Sequence, residues 1–396
     1  MSKEFSFRVI AKDKNSLART GIIQTKNGKV ETPYLVPVAT RGEVVCLTPE
    51  DVKKLKVQCL LANTYHLYFK PGDKVIKKKG GLHKFMNFKG AVFTDSGGFQ
   101  AFSLGLGRET GARKIGFFPK EKNIKEKEKK FAEITEKGVW FTSVYDDTRH
   151  FIGPKESMEI QSNLGADIIM AFDECTSAFS DKEYIKKSMD RSHKWEIQSL
   201  KYHDKKQALY GIIHGGWFKD LRLESTKFIN KQKFDGIAIG GSLGKTKKDM
   251  YEILDWIIPE LDERPRHMLG IGWIDDIFEC VSRGIDTFDC VEMTRIARHG
   301  NLYVSPKSGG NVKNKFRISI DSPKNATNEK IDSSCSCSTC KKYTRKQLRQ
   351  IAKRKDGTYG RLATIHNVSF MLSLTEKIRQ SIKEGKIQKL KKEWLN

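Results

Sequence analysis

The chain has 396 residues, 38% of them hydrophobic, which is enough to bury a large core in one large domain or in two to three ordinary ones. Its 73 Lys and Arg residues outnumber the 48 Asp and Glu residues, and the formal net charge of +25 favours a polyanionic partner such as a nucleic acid. No apolar run approaches the roughly 18 residues needed to cross a bilayer, and the first residues lack the apolar segment of a signal peptide, so we expect a cytoplasmic protein without a membrane partner.

Eight short apolar segments predict β-strands, because they are rich in β-branched and aromatic residues and are bounded by turn residues. These segments cover residues 34–38, 58–62, 91–95, 167–173, 208–214, 235–240, 267–271 and 285–291. Helices are predicted between them at residues 49–55, 155–164, 182–201, 218–231, 247–256 and 274–282, the first with Thr48 as its N-cap and Pro49 at its first position. Strands that each feed a helix favour a parallel (β/α)8 TIM barrel over an open doubly wound sheet.

Two segments interrupt this pattern. A Lys-rich insertion near residues 105–135 contains a nearly pure charge run at 120–130, which indicates a solvated loop or an exposed helix. Residues 305–331 have few apolar side chains and predict an irregular connector with one or two strands around residues 316–320. We therefore predict a barrel over residues 1–310 and a subdomain with C-terminal helices over residues 311–396.

Three cysteines are crowded together in the predicted subdomain, whereas the other five are scattered through apolar segments and are expected to be reduced, buried thiols. Cys335, Cys337 and Cys340 lie within six residues, and His366 follows on a predicted helix. Three thiolates and one imidazole complete a tetrahedral shell that suits Zn²⁺ and leaves no position open, so we predict one structural zinc ion per chain. The alternative is three thiols with an unrelated histidine.

Polar or glycine residues follow nearly every predicted strand. They stand at residues 63, 95–98, 173–175, 214–216, 240–242, 270–272 and 289–290. In a (β/α)8 barrel the carboxyl ends of the strands meet at one face, where catalytic groups collect. Asp95, Asp173 and Asp289 are therefore candidate catalytic or binding residues.

The last predicted strand carries two carboxylates, Asp286 and Asp289, and two arginines follow it at Arg295 and Arg298. A buried carboxylate is either held by hydrogen bonds or used in chemistry, because leaving it without partners is costly. A carboxylate beside guanidinium groups is typical of sites that act on phosphate-bearing substrates. The alternative is an aspartate that caps the following turn.

Several motifs in the same order resemble the tRNA-guanine transglycosylases, the queuine tRNA-ribosyltransferase family, and the bacterial members in particular. The resemblance rests on residues 32–34, 62–66, 93–104, 172–175, 240–241 and 284–290 together with the Cys₃His set, and it covers nearly the whole chain. It implies a (β/α)8 barrel with a zinc subdomain, tRNA and a 7-deazaguanine base as partners, and a homodimer. The implied reaction exchanges the wobble guanine of tRNAs whose anticodon begins G-U, in queuosine modification.

The resemblance also implies roles for individual residues. Asp289 matches the nucleophile that attacks the ribose C1′ and forms a covalent RNA–enzyme ester, and Asp95 matches the general acid/base. Asp173 matches the carboxylate that holds the N1 and 2-amino edge of the purine. Further base contacts are expected from Ser96, Phe99, Gln100, Cys175, His214, Gly240, Gly241 and Leu269, and RNA contacts from Thr294, Arg295 and Arg298.

Three residues of the expected base pocket depart from the common bacterial pattern. His214 stands where many relatives have Gln, and Phe99 stands where bacterial relatives commonly have Tyr. Lys245 stands where a Glu usually reads the cationic aminomethyl group of the incoming base, and a Lys facing that group would repel it. The candidates for this base are 7-aminomethyl-7-deazaguanine, queuine and the neutral 7-cyano-7-deazaguanine.

Two other functions compete with an active transglycosylase. One is a non-catalytic, zinc-stabilised tRNA-binding subunit, and the other is a glycosylase that hydrolyses the same kind of bond. Displacement at an anomeric carbon needs one ionised carboxylate as the nucleophile and another group for proton transfer. The presence of both Asp95 and Asp289 favours the active enzyme over the subunit.

Overall fold

We describe the protein from a computed structural model, which covers residues 4–102 and 132–396. Most of the Lys-rich insertion predicted near residues 105–135 lies outside these ranges. The strands are β1 (Ser6–Lys12), β2 (Arg19–Gln24), β3 (Lys29–Thr32), β4 (Tyr34–Pro37), β5 (Cys59–Ala62), β6 (Ala91–Thr94), β7 (Ala132–Ile134), β8 (Val139–Thr142), β9 (Arg149–Ile152), β10 (Ile168–Met170), β11 (Ala208–Ile213), β12 (Gly236–Ile239), β13 (Arg266–Met268), β14 (Thr287–Cys290), β15 (Asn301–Tyr303) and β16 (Arg317–Ser319).

The helices are α1 (Pro49–Lys54), α2 (Thr64–Phe69), α3 (Asp73–Lys78), α4 (Leu82–Met86), α5 (Pro154–Leu164), α6 (Lys182–Tyr202), α7 (Lys219–Lys231), α8 (Lys247–Ile257), α9 (Ile274–Ser282), α10 (Glu292–Arg298), α11 (Ser338–Lys342), α12 (Arg345–Arg354), α13 (Thr358–Lys383) and α14 (Ile387–Leu395). Thr48 caps α1 as predicted, because its side chain accepts a hydrogen bond from Asp51 N while the Asp51 carboxylate accepts one from Thr48 N. In the described part of the chain, no helix combines the length and the apolar character that crossing a membrane requires.

The predicted (β/α)8 class is confirmed by the sheet topology. Eight strands form one sheet in the order β4, β14, β13, β12, β11, β10, β6, β5, so neighbours in the sheet follow chain order and the first strand pairs with the last. Their pairing is parallel, for example Ile213 beside Ile239 and Asp289 beside Val36. Each of the eight corresponds to a predicted strand segment, and each predicted helix is also present.

Most of the barrel strands end earlier than predicted at their carboxyl ends, although β5 ends at Ala62 as predicted. The strand predicted at 167–173 ends at Met170 in β10, and the one predicted at 208–214 ends at Ile213 in β11. The polar residues that follow lie in loops beyond the last hydrogen bonds of the sheet, where their side chains are available for binding. The strand expected around 316–320 is present as β16, which pairs antiparallel with β15.

One of two compact units contains Leu61–Leu269, Gln24–Gly28 and the first residues up to Phe7. Its core holds large buried aromatic residues: Phe93 stacks on His267 and meets Tyr210 edge-on, and Phe172 packs against Trp195. A separate antiparallel sheet, β7–β8–β9, belongs to this unit. The sequence pattern did not predict it.

The second unit contains Arg8–Ile23, Lys29–Leu60 and Gly270–Asn396. Its longest helix, α13, is the one predicted through Met371, Leu374, Ile378 and Ile382, all of which are buried. The boundary predicted between residues 310 and 311 is a different division of the chain and stays a prediction.

Candidate active site and metal centre

Asp289 occupies the carboxyl end of β14, and one of its carboxylate oxygens, Oδ1, accepts a hydrogen bond from Gly270 N at 3.0 Å. The next residue, Cys290, is buried against Gly272, where any side chain would collide because a Cβ would lie 2.4 Å from the cysteine Cβ. This packing fixes the end of the strand, so the Asp289 carboxylate has a defined position at the face where (β/α)8 enzymes place catalytic groups.

Asp286 lies three residues earlier on the same segment and has a different role. Arg19 donates to both of its carboxylate oxygens, with Nε–Oδ1 at 3.0 Å and Nη2–Oδ2 at 2.6 Å, and both side chains are almost fully buried. A bidentate pair of this kind neutralises the buried carboxylate. Asp286 is therefore held in a structural ion pair, whereas Asp289 lies near the carboxyl end of β14.

Asp95 follows β6, and the groups around it orient its carboxylate. Thr64 N donates to Oδ1 at 2.9 Å, and Gln100 Nε2 donates to Oδ2 at 3.2 Å. Asn63 also donates to Oδ2 from its side chain. Because Asn63 and Thr64 start α2 directly after β5, two neighbouring strand ends together hold this carboxylate in one orientation.

Asp173 and His214 form the buried part of the site. The side chain of Ser96 donates to Asp173 Oδ1 at 3.2 Å, and His214 Nε2 lies 3.5 Å from Asp173 Oδ2. Burial raises the pKa of Asp173 to about 7, although the Ser96 hydrogen bond opposes the shift and the charges of Glu174 and Asp95 add to it. Burial lowers the pKa of His214 well below its ordinary value, with His193 and Arg222 contributing to the shift.

The contact between these two residues is therefore not an ion pair at neutral pH, because the imidazole is neutral there. In the described part of the chain, His214 Nε2 is a buried atom without a hydrogen-bond partner. A neutral imidazole donates from one ring nitrogen, so the Nε2 tautomer would offer this N–H to a bound acceptor.

Glycines after β12 bring backbone groups close to His214. Gly241 has a φ of +66°, and a Cβ at this position would lie 3.2 Å from His214 Nδ1. A Cβ on Gly240 would lie 2.5 Å from the Ile212 side chain. Both positions thus require glycine, and the backbone of this loop can approach a flat ligand closely.

The remaining predicted base contacts lie near these residues. Ser96 touches Asp173 and Gln100 touches Asp95, while Phe99 is partly buried. Burial raises the pKa of the Cys175 thiol to about 12, so this cysteine is not a thiolate nucleophile. Leu269 is partly buried, and its Cδ1 would lie 3.3 Å from a Cβ on Gly240.

The three residues expected to contact RNA all lie on α10. Thr294 is buried, and its hydroxyl donates to Val291 O at 3.1 Å. Arg295 is partly exposed and pairs with Glu292 at 2.8 Å. Arg298 is exposed and donates to Thr294 O at 2.9 Å. An RNA contact from these side chains stays a prediction.

A cavity of about 390 Å³ opens among the loops that follow β10, β11 and β12. Its wall includes Ser177, Trp217 and Ser242, each one to four residues after a predicted base contact. Lys245 also lines it, with Nζ 4.9 Å from the centre of the Phe179 ring, and Asp249 contributes a carboxylate. The cavity is thus lined by loop residues that follow Asp173, His214 and Gly241 in the sequence.

The predicted metal ligands come together in the structure. The donor atoms of Cys335, Cys337, Cys340 and His366 all lie within 4.8 Å of one another. The three sulfurs lie 3.6, 3.7 and 3.3 Å from His366 Nδ1. A tetrahedral zinc ion with ordinary bond lengths requires a separation of about 3.6 Å between sulfur and nitrogen ligands, so the cluster fits zinc.

The other side of His366 is fixed by the protein. Its Nε2 lies 2.8 Å from Tyr303 O, which orients the ring and leaves Nδ1 directed at the three sulfurs. The adjacent Asn367 donates to Met293 O and Asn301 O, both at 3.1 Å, and accepts from Tyr303 N at 3.0 Å. Among the five scattered cysteines, the expectation of burial is wrong for Cys46, which is exposed, and Cys175 is only partly buried.

The fold and the site define a (β/α)8 enzyme with carboxylates at its strand ends and a separate Cys₃His centre. The profile of the family described as Queuine tRNA-ribosyltransferase matches residues 13–396. The chain therefore belongs to the queuine tRNA-ribosyltransferase family, which confirms the resemblance noted from the motifs and, with it, the expectation of a pentosyltransferase enzyme.

Individual relatives cover nearly the whole chain. A putative queuine tRNA-ribosyltransferase of Archaeoglobus fulgidus is 50% identical over 390 residues, which are 95% of this chain and 96% of the relative. Queuine tRNA-ribosyltransferases of Caldanaerobacter subterraneus subsp. tengcongensis and Roseiflexus sp. are 42% and 39% identical, each over 98% of this chain and over 96% and 99% of their own lengths.

One important residue was missed by sequence reasoning. Arg222 is fully buried on α7 and donates to Gly240 O, beside the expected base contact Gly241. The available signal was its place among Leu221, Ser225 and Ile229 on the buried face of a helix, where an arginine needs a partner.

Proposed function

We propose that this protein exchanges the wobble guanine of tRNAs with a G-U-N anticodon for a 7-deazaguanine base, through a covalent ester between Asp289 and the ribose. The observation that carries the proposal is the different environment of the two carboxylates on the last barrel segment. Arg19 neutralises Asp286 inside the protein, whereas Asp289 ends β14 with its carboxylate held by Gly270 N. This is the carboxylate that the family resemblance matches to the nucleophile.

The first displacement breaks the glycosidic bond. A carboxylate oxygen of Asp289 attacks C1′ while the bond from C1′ to guanine N9 breaks and its electron pair leaves with the base. Asp95 donates a proton to the departing guanine. In the second displacement a nitrogen of the incoming base attacks C1′ and expels Asp289, and that base gives its proton to Asp95. Two displacements at one carbon give net retention.

The base is held by groups with matching hydrogen-bonding character. Asp173 in its ionised form accepts from the N1–H and 2-amino groups of the purine, and its pKa near 7 makes the ionised form accessible at neutral pH. Neutral His214 donates from Nε2 to O6, and the Gly241 backbone lies beside the same ring. The buried nitrogen without a partner thereby gains one in the complex.

The 7-substituent of the incoming base is assigned to the cavity beyond Gly241. In a 7-deazaguanine this substituent lies on the same edge as O6, so it projects past the groups that bind O6 and toward Ser242 and Lys245. The Lys245 ammonium on the cavity wall disfavours a cationic aminomethyl group relative to a neutral cyano group. 7-Aminomethyl-7-deazaguanine, queuine and the cyano base are distinguished by competition.

The zinc ion is assigned to Cys335, Cys337, Cys340 and His366, where it supplies a tetrahedral cross-link rather than catalysis. The basic surface and the arginines of α10 are assigned to the tRNA backbone. A homodimer is proposed from the family resemblance alone, and light scattering of the purified protein at several concentrations tests it.

The experiment that tests the function is incorporation of radiolabelled guanine into a transcribed tRNA with a G-U-N anticodon, beside the same transcript with adenine at the wobble position. Label in the first transcript alone supports the proposal. Tight tRNA binding without any label would instead indicate the non-catalytic subunit, and release of guanine without incorporation would indicate a hydrolase.

A further inference from the structure

Arg222 is a fully buried arginine on α7 that binds the two loops expected to read purine O6. Its guanidinium donates four hydrogen bonds, and every acceptor is a backbone carbonyl oxygen. The Nε–H reaches Gly216 O at 2.9 Å, Nη1 reaches Ile213 O at 2.9 Å and Gly240 O at 3.0 Å, and Nη2 reaches Ser242 O at 2.6 Å. The first pair of acceptors flanks His214, and the second pair flanks Gly241.

Arg222 interacts with backbone carbonyls rather than with an opposite charge. In the part of the chain that the structure describes, no carboxylate pairs with Arg222, and burial lowers its pKa to about 9, which still leaves it charged at neutral pH. A buried charge is costly, and here the hydrogen bonds to four loop carbonyls compensate for it. The guanidinium is therefore better explained by what it does to the two loops.

The geometry of the peptide group connects Arg222 to the base pocket. In a trans peptide the carbonyl of one residue and the N–H of the next point in opposite directions. Because Arg222 binds Gly240 O on one side of this peptide group, the Gly241 N–H points to the other side, away from the guanidinium. A Cβ on Gly241 would lie 3.2 Å from the His214 ring, so the two candidate O6 donors are neighbours.

We propose that Arg222 is a positioning residue that aims Gly241 N–H and His214 together at purine O6 and strengthens the hydrogen bond that the peptide donates. This inference rests on the proposed function. A carbonyl that accepts from a guanidinium polarises its peptide and makes the attached N–H a better donor. Guanine that leaves with the electrons of its glycosidic bond carries more negative charge on its ring, O6 included, so both effects favour the transition state.

The test compares Arg222→Lys with wild type in the guanine exchange reaction. Lysine keeps the charge and loses the planar fork that reaches four carbonyls. We expect kcat/KM for guanine to fall about 10- to 100-fold, with a larger part of the loss in kcat because the charge on O6 develops in the transition state. Arg264→Lys is the matched control, since Arg264 also donates to backbone carbonyls, Gln232 O and Phe234 O, away from the site.

Two competing bases give a readout that general loosening of the fold would not produce. 6-Thioguanine replaces O6 with a weaker acceptor, whereas hypoxanthine lacks only the 2-amino group that Asp173 is proposed to hold. Arg222→Lys should reduce the preference for guanine over 6-thioguanine and leave the preference for guanine over hypoxanthine unchanged. Equal losses for all three bases, or a wild-type protein that exchanges guanine without preferring it over 6-thioguanine, would overturn the inference.

The wild-type comparison needs no variant, so a wild-type protein without this preference overturns the inference even if Arg222→Lys does not fold. A wild-type protein that incorporates no guanine would overturn the proposed function, and this inference with it. If wild type is active and a folded Arg222→Lys variant discriminates among the three bases as wild type does, the inference is overturned and the proposed function stands.

Discussion

Arg19 and Asp286 form a buried bidentate ion pair across 267 residues of sequence, with contacts of 3.0 and 2.6 Å. The pair neutralises the carboxylate that directly precedes β14, whereas Asp289, the proposed nucleophile, lies near the carboxyl end of that strand. Removing one partner leaves a buried charge unpaired, which costs about 3 to 5 kcal/mol of stability. We expect Arg19→Met to lose this amount in urea denaturation.

The Arg361–Asp51 pair is the control for this prediction, because it has similar geometry and the Arg361 side chain is 53% exposed. Arg361→Met should cost no more than about 1 kcal/mol, since the half-exposed Arg361 side chain leaves this pair open to screening by solvent. Equal losses in the two variants would show that burial does not decide the contribution of the Arg19 pair.

Asp289→Asn should abolish the covalent complex with tRNA that survives denaturing electrophoresis, because an amide is a poor nucleophile. Binding of tRNA should stay within about threefold of wild type, since one carboxylate adds little to contacts that are mainly with phosphates. Asp262→Asn, a substitution at an exposed carboxylate, should leave both measurements unchanged. A trapped complex in the Asp289→Asn variant would exclude the proposed nucleophile.

The raised pKa of Asp173 predicts a pH-dependent loss of stability. The native carboxyl keeps its proton up to about pH 7, whereas the unfolded carboxyl releases it near its ordinary pKa of 3.8. The native state therefore binds more protons in this window, and stability falls as the pH rises from about 4 to about 7. Asp173→Asn should match wild type at pH 4 and be more stable by about 1 to 3 kcal/mol at pH 8.

Asp167 offers a control of opposite sign. Burial raises the pKa of this carboxyl, but bonds from His83 at 2.9 Å and Val92 N at 2.8 Å outweigh burial and hold the pKa below its ordinary value. The contribution of Asp167 is thus present above the unfolded pKa, so Asp167→Asn should lose stability at pH 8. Parallel pH profiles for the two variants would contradict both assignments.

Lys245→Glu should change the choice of the incoming base. Replacing a cation on the cavity wall by an anion should raise the preference for 7-aminomethyl-7-deazaguanine over the cyano base by about 5- to 10-fold in competition for incorporation. Lys248→Glu makes the same charge change at an exposed residue paired with Glu252 and should leave the preference unchanged. The same shift in both variants would indicate a general charge effect.

Zinc removal should destabilise the protein. Cys337→Ser, or chelation confirmed by metal analysis, should lower the Tm by several degrees because the cross-link at His366 is lost. Cys46→Ser is the control, since this cysteine is exposed and lies outside the cluster. An unchanged Tm after verified loss of zinc would show that the metal does not stabilise the fold.

The barrel strands and the metal ligands were predictable because their signals are local. Apolar β-branched segments mark strands wherever they pack, and three cysteines within six residues in a hydrophilic segment are typical of a zinc site. The prediction of strand ends failed by one to three residues, as at Met170, because apolar character continues past the last ladder hydrogen bond. The prediction of Asp95, Asp173 and Asp289 as site residues depended on the regular alternation of strands and helices, which placed all three at strand ends.

Features that depend on distant residues were not predictable. β1 alternates exposed and partly buried residues, and its sheet with β2 and β3 was missed since none of these strands is a continuous apolar run. The partner of Asp286 lies 267 residues away, and no periodicity reveals it. Arg222 follows the same logic: a helical arginine is usually a surface residue, and only the fold shows four carbonyls around it.

The neighbouring residues His366 and Asn367 on α13 connect the metal centre to α10. His366 is assigned to the metal, while Asn367 ties the same turn to Met293 O on α10, shortly after the carboxylate proposed as nucleophile. One turn of α13 thus holds both the metal centre and the helix that follows the last barrel strand. Loss of the metal is therefore expected to loosen α10 as well as the Cys₃His cluster.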